Sequence, residues 1–327
     1  STSYCTTFMI DKVLFQARKP RLSHNAVSLN QLSSVVFNSL FHSNMNLIPL
    51  LCLATSVLGC GHRSSGIIPD PASRHRRIII GGNLTSVGRC PWQIFLEKID
   101  DMWRFICGGT VIGNDWVMTA AHCVDNINHV TMKVYAGVSN NSDLLHQNVT
   151  SREVAKVILH PNWLRFTAEN DIALLKLATP LIFDDTISPI CLPNPDQPIP
   201  DNGTATLTGF GTANVDDNYA TVLDEQLRET VVPIIPNDLC EQRWRDFPSY
   251  VDNEAIISAW GRRKILCAGS NGHASGKGDS GGPLSMRASD GRWFQLGIVS
   301  YGHADPLFRF DIFPKLYTDV RKYCDWI

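Results

Sequence analysis

Beyond Arg77 the apolar residues fall in short runs or in strict alternation, and Gly, Pro, Asn and Asp interrupt them at close intervals. Trp92-Gln-Ile-Phe-Leu, Trp116-Val-Met-Thr-Ala, Val130-Thr-Met-Lys-Val-Tyr, Ala205-Thr-Leu-Thr and Phe294-Gln-Leu-Gly-Ile-Val-Ser are such segments. Many short segments of this kind, bounded by turn formers, predict an all-β barrel or sandwich. A helical stretch is predicted at the end, from Tyr317 to Ile327. The Pro-rich patch from Pro189 to Pro200 divides the region into nearly equal halves and reads as a linker. It separates one β unit reaching to about residue 195 from another starting at about 196. No internal repeat or low-complexity tract is evident.

The chain upstream is patterned differently. Residues 1–44 show no steady period of 2 or 3.6 and predict no fold. From Met45 an apolar run of roughly a dozen residues follows, short of the ~20 that span a bilayer. It suits the core of a signal peptide, and Val57-Leu-Gly59 offers small-residue cleavage chemistry. The reading adopted is an upstream extension over 1–44 and a signal peptide over 45–59. A genuine N-terminal extension is the other reading, and Val-Leu-Gly-Cys60 also looks like a bacterial lipobox. Residues 60–77 are a Gly/Pro/Ser-rich connector that ends in Arg74-His-Arg-Arg77.

At 327 residues and 44% apolar content the chain has ample material for a core. Its net charge is −2, without a long Lys/Arg run, which argues against nucleic acid or an anionic membrane held by bulk charge. Ten cysteines are spread along the chain with no CxxC pair. That spacing suits disulfides in an oxidising compartment better than a metal site. Four sequons, at Asn83, Asn140, Asn148 and Asn202, agree with secretion to the extracellular space. No ligand cluster supports divalent-metal catalysis, no cofactor is called for, and no membrane span is found.

Three segments carry chemistry. Gly-Lys-Gly278-Asp279-Ser280-Gly-Gly-Pro-Leu places a serine between glycines, where the backbone can turn tightly and aim amide N–H groups at one point. A serine hydroxyl becomes a competent nucleophile only beside a base, with donors for the oxyanion that forms on attack. Val-Met-Thr-Ala-Ala-His122-Cys123 supplies a histidine after an apolar strand, and Asn170-Asp171-Ile-Ala-Leu-Leu supplies an aspartate ahead of another. Alone, each is more often a turn residue or a satisfied structural histidine. In chain order they make a base, a group to orient it and a nucleophile.

At these residues the chain resembles the chymotrypsin/trypsin family of serine endopeptidases, over roughly Ile79 to the C-terminus. Gly81-Gly82, Pro91-Trp-Gln and Cys107-Gly-Gly fill in between the motifs. The resemblance implies two perpendicular six-stranded antiparallel β-barrels with a C-terminal helix and the site in the cleft between the barrels. It implies His122, Asp171 and Ser280 as the triad, the N–H groups of Gly278 and Ser280 as the oxyanion hole, and Ser300-Tyr301-Gly302 as the strand that pairs with substrate. Protein or peptide substrates and protein protease inhibitors are the implied partners, and a monomer the implied state. It also implies disulfides Cys107–Cys123 and Cys240–Cys267, with Cys60–Cys191 tethering the propeptide. Ala205 and Met286 stand where a further family pair would be, and Gly276 replaces one partner of another. Cys90 and Cys324 have no counterpart in that pattern, and a bond between them is one reading.

Two departures bear on function. Activation in this family exposes a new N-terminus whose amino group pairs with the Asp before the nucleophile, here Asp279. Arg74-x-Arg-Arg77 is what furin-like convertases cut, so cleavage is expected after Arg77, leaving 60–77 as propeptide and 78–327 as the protease domain. The new terminus would read Ile78-Ile-Ile-Gly81, one isoleucine more than usual. The alternative is therefore a poorly activated or non-catalytic binding protein of the same fold. The second departure is the specificity pocket. Ala274, followed by Ser275, stands where trypsin-like members carry an Asp, and Lys315 stands where they keep Gly. Both features resemble granzyme B and imply preference for an acidic, or else a small, P1 residue over Lys or Arg.

Overall fold

The computed structural model describes residues 59–63, 82–99, 104–125, 132–145, 149–200, 202–211, 226–246, 264–302 and 310–327. Two closed β-barrels account for nearly all of its regular structure. The first runs in the order β2-β3-β4-β7-β6-β5, where β2 is Gln93–Ile99, β3 Arg104–Gly113, β4 Trp116–Thr119, β5 Met132–Ala136, β6 Thr150–Leu159 and β7 Ala173–Leu177. Antiparallel pairing of β2 with both β3 and β5 closes it.

The second barrel is built from β8 (Thr204–Gly209), β9 (Arg228–Ile235), β10 (Ile265–Ala268), β11 (Pro283–Arg287), β12 (Trp293–Tyr301) and β13 (Lys315–Asp319). The pairings β8–β9 and β8–β11 close the ring, and the short strand β1 (Asn83–Leu84) is added outside on β9. Residues 178–200 and 202–203, which include the Pro-rich patch, carry no named strand.

Strand β2 shows how alternation becomes architecture. Ile94 and Leu96 belong to the cluster inside the first barrel, with Val111, Val117, Val134 and Leu175. Phe95 belongs instead to a cluster that spans the seam, with Trp92, Tyr135, Phe210, Ile298 and Tyr323. Gln93 and Glu97 are buried too, and each has a partner, as burial demands. Thr208 Oγ1 of the second barrel donates to Gln93 Oε1 at 2.7 Å, and Tyr135 Oη donates to Glu97 at 2.9 Å. The strand is therefore buried on both faces, one towards its own barrel and one towards the other.

Ala205 and Met286 both lie in the apolar cluster inside the second barrel. Where the family has a disulfide, this chain has hydrophobic packing. The predicted terminal helix is smaller than expected. Tyr317 to Asp319 belong to β13, and helical structure is a 3-10 turn over Val320–Tyr323, whose Arg321 N–H is capped by the Asp319 carboxylate. The β-alternation of Lys315–Asp319, fully buried and paired to β10 and β12, outweighs helix propensity there.

The described residues contain the disulfides Cys60–Cys191, Cys107–Cys123 and Cys240–Cys267. A Cys90–Cys324 bond is not formed. Cys90 is a buried free thiol, its Sγ 4.0 Å from Glu229 Oε2, and burial pushes it up to about 12. Cys324 is disulfide-bonded, but not to Cys90, and its Sγ lies 3.2 Å from the Pro193 carbonyl oxygen. The two sulfurs share a cluster yet are held by different neighbours. No described helix is long and apolar enough to cross a membrane.

Candidate active site

His122 is delivered by the end of β4. Val117, Met118 and Thr119 are buried, and the chain then enters the one-turn helix α1, Ala121–Val124. Two bonds fix this corner to β3. Thr119 Oγ1 donates to the Gly108 carbonyl at 2.8 Å, and Cys123 is cross-linked to Cys107. With Ala120 and Ala121 fully buried, the imidazole is the polar group the turn presents, 32% exposed.

Asp171 arrives at the same end of the barrel, just ahead of β7, whose first residue Ala173 pairs with Thr119 at the end of β4, and is fully buried. His122 Nδ1 lies 2.7 Å from its Oδ2, and the His122 backbone N–H donates to Oδ1 at 2.9 Å. Ser300 Oγ, on β12 of the second barrel, donates to Oδ2 at 2.5 Å, and Thr318 Oγ1 donates to the Asp171 backbone carbonyl. Burial by itself pulls the His122 imidazole down. The charge of Asp171 and the hydrogen bond from its carboxylate overcome that, leaving His122 above its ordinary value. With Nδ1 committed to the carboxylate, Nε2 is the nitrogen left to exchange a proton.

Ser280 lies in the loop between β10 and β11, and its carbonyl accepts from Gly108 N–H at 2.7 Å. Gly108 is also the residue that anchors Thr119, so nucleophile loop and histidine turn hang on one point of β3. The packing leaves no room: a Cβ on Gly281 would lie 2.2 Å from Thr119 Oγ1 and 2.6 Å from the Gly108 carbonyl oxygen. Gly278 adopts φ +94°, a left-handed conformation that glycine reaches without strain. Among the described residues neither the Gly278 nor the Ser280 N–H has an acceptor, so both remain available to an oxyanion. No hydrogen bond joins Ser280 Oγ to His122, and such contacts commonly tighten only with substrate bound.

Asp279 is buried beneath this loop. Its carboxylate accepts from Gly211 N–H at 2.8 Å and Gly276 N–H at 2.7 Å. Arg77 and Ile78 lie outside the described residues.

The pocket residues come together on the second barrel. Ala274 and Ser275 are buried midway along the β10–β11 connection, and Ser300 to Gly302 close β12. Lys315 opens β13 and is 5% exposed. Its Nζ lies 5.2 Å from the centre of the Phe310 ring, and a Cβ on Gly302 would sit 2.4 Å from its Cδ. The glycine at 302 is thus the space the lysine stem occupies. Burial lowers Lys315 to about 8, against the opposing pull of the Asp279 charge. Helix α2, Asn237–Arg245, steadies this wall: Trp244 Nε1 donates to the carbonyl of Pro314 at 3.1 Å, and Cys240 is bonded to Cys267 on β10.

Of the sequon asparagines, Asn83 and Asn202 are exposed. Asn140 is half-buried, its Oδ1 accepting from the N–H and hydroxyl of Ser142, and Asn148 lies outside the described residues. Sequence reasoning missed Thr318 and Thr119. Nothing in a lone strand threonine marks it as a hydrogen-bond donor to a site residue distant in the chain.

Comparison with known proteins agrees with this geometry. The family profile described as Trypsin matches residues 79–327. A tryptase from Mus musculus is 36% identical over 261 residues, covering 79% of this chain and 90% of that protein. An ovochymase from Halocynthia roretzi is 34% identical over 273 residues, covering 82% of this chain but 16% of its own length.

Proposed function

The chain belongs to the trypsin family of serine endopeptidases, and from that premise we propose that Ser280, His122 and Asp171 carry out the hydrolysis through an acyl-enzyme. Ser280 Oγ attacks the scissile carbonyl while His122 Nε2 takes its proton. Asp171, bound to Nδ1, holds the tautomer and the ring orientation and stabilises the imidazolium that forms. The oxyanion is met by the N–H groups of Gly278 and Ser280, whose donors are fixed in place before reaction. His122 then protonates the leaving amine, and water repeats the cycle in reverse to free Ser280. The observation that carries the reading is the 2.7 Å contact of His122 Nδ1 with a carboxylate that is fully buried and accepts two further donors.

The enzyme is proposed to be secreted as a zymogen, glycosylated at its sequons and activated by cleavage after Arg77, with furin-like specificity. Support comes from the disulfides, the basic cluster and the Asp279 carboxylate buried under the nucleophile loop. Cys60–Cys191 would keep the propeptide attached after the cut. The preferred P1 side chain is proposed to be acidic, since Lys315 is a cation in a pocket wall that holds alanine at 274. The test is convertase treatment followed by titration with a fluorophosphonate. One equivalent bound to wild type and none to Ser280→Ala is the expected result. An activated chain with a free Ile78 terminus that takes up no reagent would mean a non-catalytic binding protein instead.

A further inference from the structure

The residue before Asp171 is held more firmly than a loop residue needs to be. Asn170 adopts φ +57°, a left-handed conformation that asparagine tolerates better than most residues. Its carbonyl accepts from Ile172 N–H at 2.8 Å, so the backbone folds tightly around Asp171. Its side chain is bonded on both sides. Nδ2 donates to the Asn162 carbonyl at 2.8 Å, while Oδ1 accepts from Lys264 Nζ at 2.8 Å and from Tyr323 Oη at 3.3 Å. Asn162 and Asn170 belong to the first barrel's chain, Lys264 directly precedes β10 of the second barrel, and Tyr323 ends the terminal 3-10 turn. The turn that aims the Asp171 carboxylate is therefore gripped across the seam.

Lys264 is an unusual group for this position. Its ammonium sits 5.0 Å from the centre of the Tyr323 ring, and no carboxylate among the described residues lies within ion-pair distance. Its field is felt nearby: burial first, and the Lys264 charge second, hold the His160 imidazole below its ordinary value. With Glu169, Asn170, Ser300 and Tyr301 it lines a cavity of about 20 Å³, room for one water. No substrate side chain fits there.

We propose that Lys264 is a positioning residue for the His122–Asp171 pair, acting through Asn170. Its hydrogen bond to Asn170 Oδ1 holds the turn that sets the Asp171 carboxylate. Lys264 thereby ties the head of β10 in the second barrel to the residue next to Asp171 in the first. The proposal rests on the triad reading above. A misplacement of order 1 Å in such a constellation costs up to about 100-fold in rate.

The experiment uses the activated full-length enzyme and an ester of a single P1 amino acid, which leaves P2 to P4 contacts out. In Lys264→Met, which has neither donor nor charge, kcat should fall about tenfold or more with KM within about twofold. Lys264→Gln and Lys264→Arg, which keep a donor for Asn170 Oδ1, should retain most of kcat. If Lys264→Met does not fold, the Gln and Arg variants still carry the test. Wild-type kcat in a folded Lys264→Met overturns the proposal, and so does a loss in Lys264→Gln and Lys264→Arg as large as that in Lys264→Met. So does an effect confined to KM on extended peptides, which would make Lys264 a subsite residue. Failure of wild type to bind fluorophosphonate is a different result: it removes the triad reading itself.

Discussion

Asp171 and Lys315 are both buried ionisable groups in the cleft, 0% and 5% exposed, yet they are accommodated in different ways. Asp171 accepts from the backbone and ring of His122 on one side and from Ser300 on the other, so donors from both barrels replace its water. Lys315 lies along Gly302 with its ammonium near the Phe310 ring, and the Asp279 charge acts on it through space. A buried charge surrounded by directed donors becomes a fixed part of the machinery. Burial instead lowers Lys315 to about 8, close to the working pH, where its charge depends on conditions.

The largest expected effect separates chemistry from binding. Ser280→Ala should lower kcat by about 10⁶-fold while a substrate analogue still binds, as removal of a triad nucleophile does elsewhere. Equal loss of binding would mean that the nucleophile loop had collapsed and that the two sides of the cleft are not independent. Next, Asp171→Asn should lower kcat by about 10⁴-fold, through loss of the tautomer and of imidazolium stabilisation. Its acid limb should also move to lower pH, since the Asp171 charge and hydrogen bond are what hold His122 up. A pH–rate profile that keeps its wild-type limb would place the essential base elsewhere.

On the pocket side, Lys315→Gly should cut the ratio of kcat/KM for P1 Asp over P1 Leu by about 100-fold in a peptide library. Acidic preference that survived the substitution would assign it to another residue. The smallest effect is in the wild type. The Lys315 ammonium is present below about 8 and lost above it, while a P1 carboxylate stays ionised throughout. Preference for Asp at P1 should accordingly weaken about tenfold between pH 7 and pH 9. Because His122 must be neutral to act and is held above its ordinary value, cleavage after Asp should give a bell between the two titrations. Cleavage after Leu should instead rise to a plateau, and a bell for both substrates would uncouple the alkaline limb from Lys315.

Much of this is legible in the chain itself. Short alternating segments point to a β-barrel or sandwich, the family resemblance to two barrels, and the three motifs single out His122, Asp171 and Ser280, because nucleophile, base and orienting acid each impose local sequence. Other features were hidden. The run from Tyr317 to Asp319 reads as helix in isolation and is strand because β10 and β12 pair with it on both sides. Cys90 reads as half of a disulfide and is a buried thiol beside Glu229, because only the fold decides which sulfurs approach one another.

The division follows the range of the forces involved. Sequence by itself determined what is local: the two-residue period that makes a strand, the glycines that let Ser280 turn outward, and the chemistry each side chain can perform. Tertiary structure alone decided what depends on residues far apart in the chain. That includes the hydroxyls of Ser300 and Thr318 reaching Asp171, the ammonium of Lys264 reaching Asn170, and the burial that lowers Lys315. Hydrogen bonds and desolvation act over a few ångströms of space, and no spacing along the chain encodes which second-barrel residues will stand that close to the first.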